Sequence, residues 1–284
     1  MLFITPATLL DRPDPLPPRS DTNLPLVLSV TTVLLVLSLA TFALRIWVRT
    51  KKVVLLGWDD AAITLAMLLS CACWGTNLAM SIMTGGRHTW YIGLEALAHT
   101  ARVSFAFVIL WLWAVSMVKI SVCLMLLRIK SQSRAWLIGL WMLIGLLASL
   151  AVAITACYLL QCKPVEANWD FKYLLEPGHC WTLDQFLSFT YAFSSESAVW
   201  RASSGILDLT LAGIFVLTDL ICALLPVAFI WRINRPLREK ITLCVIMGLG
   251  LLASCCGIMK MILLRSTLMS ADPVYNAAPA QIWA

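Results

Sequence analysis

The feature that most constrains this chain is a succession of six apolar runs, at 24–47, 58–83, 102–127, 135–160, 206–231 and 241–264, each long enough to cross a bilayer. At the helical rise, about 20 residues cover roughly 30 Å of hydrocarbon. Backbone polar groups inside hydrocarbon have no water to bond, so a spanning segment is either a helix or a strand of a closed barrel. Barrel strands alternate apolar and polar residues over about ten positions, and no run here alternates in that way. The expectation is therefore an all-α fold, a polytopic transmembrane helix bundle. Charge content agrees: 13% of the 284 residues are charged, against about 25% in soluble domains. So few charges could not solvate the surface of a soluble protein this size, and the mean hydropathy of +0.87 fits a lipid-facing one.

The basic residues set an orientation. Arg45, Arg49, Lys51, Lys52, Arg128, Lys130, Arg134, Arg232, Arg235, Arg238 and Lys240 crowd the short loops after the first, third and fifth runs. Arg12, Arg19, Arg87, Arg102, Lys163, Lys172 and Arg201 are spread over longer segments on the other side. The positive-inside rule puts the N-terminus outside, in the plasma membrane or an endomembrane. A net charge of +6 broken into loop clusters in this way is not the single basic face that nucleic acid requires. Residues 1–23 are polar and proline-rich; with no basic segment leading into an apolar core they do not read as a signal peptide, and a disordered outer tail is expected.

Most of the ten cysteines fall within or beside the apolar runs, where they serve as small packing residues. Cys162 and Cys180 lie in the long outer segment between the fourth and fifth runs, on the oxidising side, where a disulfide persists. A Cys162–Cys180 bridge, two independent thiols, or Cys157 as the partner of Cys162 all remain open. His88, His99 and His179 are scattered, no metal-ligand spacing occurs, and neither a metal nor a catalytic constellation is expected.

Ionisable residues inside spans are costly and usually face the bundle interior. Asp219 is central in the fifth run, and Lys119 lies about 13 Å above the inner end of the third at the helical rise. As a pair they would hold helices in register or form a ligand or proton site. Asp59 and Asp60 open the second run, where unpaired N–H groups and the helix dipole favour carboxylates; capping together with contact to Arg128 is their simplest role.

Several motifs carry a family resemblance. They are Gly57-Trp58-Asp59-Asp60, Gly86-Arg87-His88-Thr89-Trp90, Lys119-Ile120-Ser121 with Leu127-Arg128-Ile129, and Cys162-Lys163-Pro164-Val165 with Asn168-Trp169-Asp170 and Cys180. Further along come Thr218-Asp219-Leu220 with Leu225-Pro226, Leu237-Arg238-Glu239-Lys240, and Asp272-Pro273 through Ile282-Trp283. In order and spacing they resemble the fungal seven-helix rhodopsin-domain membrane proteins, which include the Pth11-type receptor-like proteins and a membrane protein of a mycotoxin cluster. The resemblance implies a seventh span beyond Ile282-Trp283, where this chain stops, and it matches residues 183–209 poorly, as an insertion would. It also implies candidate positions: an outer-loop motif of Arg87, His88 and Trp90, and an inner-face motif of Asp59, Asp60, Arg128 and Lys240.

The resulting expectation is a receptor-like protein that binds a small molecule, meets a cytoplasmic signalling partner, and is linked to a secondary-metabolite gene cluster. The alternatives are an accessory or transport protein of such a pathway, and a membrane-embedded terpene cyclase in which Asp219 supplies the acid. No cofactor is expected. Retinal in particular would need its Schiff-base lysine on the seventh helix, and only Lys119 facing Asp219 could substitute.

Overall fold

A computed structural model of the chain describes Pro18, residues 21–51, 57–128, 134–160 and 162–169, and the single positions 248, 252, 255, 256, 259, 272, 275 and 276. Its described elements are helices α1 (Leu24–Lys51), α2 (Trp58–Thr84), α3 (Leu94–Arg128) and α4 (Arg134–Leu160), with short 3-10 turns at Thr89–Tyr91 and Val165–Asn168. All four helices are long and apolar enough to cross a membrane, and no strand occurs among the described residues. The runs at 206–231 and 241–264 lie outside the described residues.

Three of these helices begin and end close to the apolar runs that specify them, but α3 starts at Leu94 rather than near 102. Its first turns, with Glu95, His99, Thr100 and Arg102, are too polar to read as a span yet contain nothing that breaks a helix. At 35 residues it is about 52 Å long, well beyond the hydrocarbon thickness of roughly 30 Å. Arg102 thus sits within a helix that projects past the bilayer core rather than at its head.

The interior of the bundle follows α3, which packs along most of α2, and against α4 and the Val165–Asn168 turn. Cys123 and Leu126 of α3 interlock with Leu140 and Leu147 of α4 in one buried cluster. Between apolar helices in lipid there is no hydrophobic drive to associate, so packing and interhelical hydrogen bonds specify the neighbours. Trp74 Nε1 of α2 donates to Thr32 Oγ1 of α1 at 3.3 Å, and Trp113 Nε1 of α3 donates to Thr155 Oγ1 of α4 at 3.1 Å. The faces left over are greasy: Val33, Leu34, Val36 and Leu37 of α1 and Ile138, Trp141 and Met142 of α4 are all exposed, as residues bathed by lipid tails would be. Trp47 and Trp58 are exposed where α1 ends and α2 begins, with Lys51 Nζ 4.6 Å above the Trp47 ring. Tryptophan and lysine together mark a membrane–water interface.

At its other end α2 closes through Gly85 and Gly86, both left-handed at φ 61° and 62°. Asn23 donates its backbone N–H to the Gly86 carbonyl at 3.1 Å, which seats the start of α1 on this turn. A Cβ on Gly86 would fall 2.5 Å from the Leu24 nitrogen, whereas one on Gly85 would meet only the flexible Arg87 side chain at 3.5 Å. Both substitutions strain the backbone by about 1–2 kcal/mol, but only Gly86→Ala also displaces α1. Equilibrium unfolding in mixed micelles should show Gly86→Ala as the more destabilising of the two; equal effects would contradict the close approach.

Candidate functional site

Two polar clusters occupy opposite ends of the bundle, one at the start of α2 and the other at the turn that follows it. At the arginine end, Gly57 precedes α2 and Asp60 turns back to accept the Gly57 N–H at 3.2 Å. This is the capping arrangement expected of a carboxylate at a helix N-terminus. The two carboxylates then collect arginines from two other helices. Arg49 Nη1 of α1 lies 2.6 Å from both Asp59 Oδ2 and Asp60 Oδ2. Arg45, one turn earlier, reaches Asp59 at 3.2 Å and Asp60 at 3.5 Å. Arg128, from the last turn of α3, approaches Asp59 Oδ1 at 3.3 Å. Ser121 Oγ of α3 donates to the Asp59 carbonyl at 2.9 Å. Asp59 and Asp60 are 3% and 1% exposed while the Arg128 side chain is 37% exposed. Three guanidinium groups around two carboxylates leave one positive charge in excess, and Arg128 is the member that water reaches most. Gly57 is required by the crowding: a Cβ there would lie 2.5 Å from Asp59 Oδ1 and 3.1 Å from Arg128 Nη1.

The expected association of Asp59 and Asp60 with Arg128 is therefore present. Sequence reasoning missed Arg45 and Arg49, which counted only toward topology. Their spacing of four on a helix ending beside Asp59-Asp60 was the available signal, since residues four apart share a helix face. Lys240 lies outside the described residues.

At the His88 end, the turn after α2 meets a position far along the chain. His88 Nδ1 is 2.6 Å from Asp272 Oδ2. The Thr89 N–H donates to Asp272 Oδ1 at 3.1 Å, and the Thr89 hydroxyl donates to the same oxygen. Asp272 also caps its own helical turn: its Oδ1 accepts the Tyr275 N–H at 3.3 Å, and its carbonyl accepts the Asn276 N–H at 3.2 Å. Tyr275 stacks on His88 with centroids 3.9 Å apart, and Trp90 lies near-parallel on a 6.3 Å centroid separation. Asn23 Nδ2 completes the junction by donating to the Tyr275 carbonyl at 3.4 Å. His88 and Asp272 are both buried. Trp90 is half-buried, and Arg87 is exposed and stands apart from this cluster. Of the Arg87, His88 and Trp90 motif, the structure brings the two rings together and leaves out the arginine.

Lys119 is buried within α3, 6% exposed, with Ser116 and Ser121 also buried on the same helix. Asp219 lies outside the described residues, and so does its pairing with Lys119. Cys162 is buried, and Cys180 lies outside the described residues. Cys157 carries a free thiol, which removes it as the partner of Cys162. Among the described residues no group of three or more His, Cys, Asp or Glu side chains could hold a metal ion.

With these two clusters in place, comparison with known proteins decides the family. The fungal rhodopsin domain pattern matches residues 44–200 and 202–284. This chain belongs to the fungal rhodopsin domain family. The match covers both polar clusters except Asn23, and its break at residue 201 falls inside the 183–209 stretch. Among curated proteins, the chain is 26% identical over 202 residues to "Fugralins biosynthesis cluster protein 2" of Gibberella zeae, a similarity covering 69% of this chain. The chain spans 44% of that relative's length. No solved structure matches it.

The arginine end yields a test. Removing one partner from a buried ionic group leaves the remainder uncompensated, at a cost of roughly 3–5 kcal/mol, whereas an exposed partner contributes about 1 kcal/mol or less. Arg49→Ala should thus destabilise the protein well beyond Arg128→Ala when unfolding is followed in mixed micelles. A reversed order would mean that Arg128, not Arg49, holds the carboxylates.

Proposed function

We propose that this member of the fungal rhodopsin domain family is a receptor-like integral membrane protein, sensing a small molecule and associated with a secondary-metabolite gene cluster. The observation that carries this reading is the His88 end, where buried ring nitrogens are gathered beneath a junction of three chain segments. The arginine end supports it, since a partly exposed Arg128 attached to buried carboxylates is suited to contact with a cytoplasmic partner. The name of the Gibberella zeae relative supports the link to a biosynthetic cluster.

In this reading the N-terminus and the His88 end face outward and the arginine end faces the cytoplasm, as the basic-loop asymmetry implies. Ligand would reach His88 and Trp90 from outside, with Lys119 and Asp219 deeper in the bundle, and a Cys162–Cys180 disulfide would hold the loop beside the entrance. No enzymatic step, metal or retinal is part of this reading; a cyclase built on Asp219 is set aside because no Ser/His/Asp or metal constellation accompanies it in the sequence.

The relative's name equally favours an accessory or transport role in a biosynthetic pathway, and deleting the gene separates the two. A sensor predicts altered transcription of neighbouring biosynthetic genes with export intact. An accessory or transport protein predicts unchanged transcription with altered amounts of product inside and outside the cell. Unchanged transcription with unchanged metabolites would sink both. The orientation is checked independently by protease shaving of intact cells carrying an N-terminal tag; the tag should be removed, and a protected tag would reverse the topology.

A further inference from the structure

One face of α1 changes character along its length. Val33, Leu37, Leu44 and Val48 are all exposed, and their spacing puts them on one side of the helix, since residues three, four or seven apart share a face. Lys51 continues the same line seven residues after Leu44 and is also exposed. From Val33 to Val48 the stripe is about 22 Å long, more than half of the roughly 30 Å hydrocarbon core. Trp47 stands exposed beside it. Its ring carries the Lys51 ammonium at 4.6 Å, an attraction between cation and ring face that holds the charge at the level of the indole. The helix thus passes from bare apolar surface to aromatic ring to positive charge. A phospholipid passes in the same order from acyl chain to glycerol to phosphate.

The neighbouring face decides which headgroup suits the surface. Asp59 and Asp60 are 3% and 1% exposed, whereas the side chains of Arg45 and Arg49 that cover them are 28% and 20% exposed. The charge layer therefore has its negative side inward and its positive side outward. A headgroup beside it meets guanidinium groups, which attract a phosphate and repel the ammonium of a zwitterionic headgroup.

We propose that the lipid-facing side of α1, from Leu37 to Lys51, is a docking surface for an anionic phospholipid, with its phosphate at Lys51 and its acyl chains on the stripe. Other occupants fit worse. A second copy of this chain has the same orientation in the membrane, so pairing through this face would set Lys51 and the arginine layer against their like. A soluble acidic protein offers nothing to cover the stripe below Trp47. On the orientation proposed above, the surface lies in the cytoplasmic leaflet, where anionic phospholipids concentrate. The inference goes beyond the sensing role and holds whatever molecule is sensed.

Native mass spectrometry of the full chain in neutral detergent reads the affinity, with phosphatidylglycerol and phosphatidylcholine of matched acyl chains as probes. Phosphatidylglycerol should be retained more tightly. Lys51→Gln should weaken it about two- to fivefold, the effect of one exposed ion pair, and leave phosphatidylcholine unchanged, while Lys51→Arg keeps the preference. Because Lys51 is exposed, the unfolding midpoint of Lys51→Gln should match that of the unaltered chain, which separates lost binding from lost fold. Arg134→Gln removes an exposed charge at the start of α4 and should alter neither lipid. Equal retention of the two lipids, or unchanged affinity in Lys51→Gln, would overturn the proposal. So would an equal loss in Arg134→Gln, which would mean diffuse attraction without a surface on α1. Displacement of phosphatidylglycerol by inorganic phosphate at matched concentration, or a dimer that forms at the lipid's expense, would also sink it.

Discussion

The arrangement of the first three helices depends on two adjacent carboxylates at the start of α2. In lipid, apolar side chains gain nothing by leaving one another's company for the membrane, so greasy surface alone cannot choose a neighbour. Asp59 and Asp60 make that choice. They are almost wholly buried and they draw Arg45 and Arg49 from α1 and Arg128 from α3. A mispositioned helix would strand a charge in a low-dielectric interior, at a cost exceeding that of most packing errors. The short Gly57 approach and the Ser121 bond to the Asp59 carbonyl are consequences of bringing three helices to one point.

The opposite end is organised around one carboxylate rather than two. Asp272 satisfies the start of its own helical turn and simultaneously binds His88 and Thr89, so one side chain both caps a helix and closes a junction. Because α1 is seated on the Gly86 turn through Asn23, this junction also fixes where the first helix begins. Orienting a histidine through Nδ1 also fixes the direction in which its other nitrogen points. A flexible surface histidine has no such definition, and the difference is what makes this end a candidate for recognition and not merely for packing.

Membership of the fungal rhodopsin domain family describes an architecture, and architecture does not fix function. The Gibberella zeae relative is named for a biosynthetic cluster, but this chain covers less than half of it. The functional reading is therefore anchored to particular atoms at the His88 end and to the contrast between buried carboxylates and an accessible arginine at the other.

Hydropathy alone determined that this is a helical membrane protein and located the four described spans, because hydrocarbon forbids unpaired backbone and a bilayer sets the length. It misplaced only the start of α3, where helix continues into polar residues that no membrane constraint governs. The carboxylates of Asp59-Asp60 and their link to Arg128 were legible because a charge beside a span needs a nearby partner. Arg45 and Arg49 were in plain view but counted as topology markers, since loop position and ion pairing draw on the same residues. What only tertiary structure decided is the meeting of His88 with Asp272, separated by 184 positions. No periodicity or local motif encodes which distant carboxylate will meet a given imidazole; that depends on where the chain between them returns.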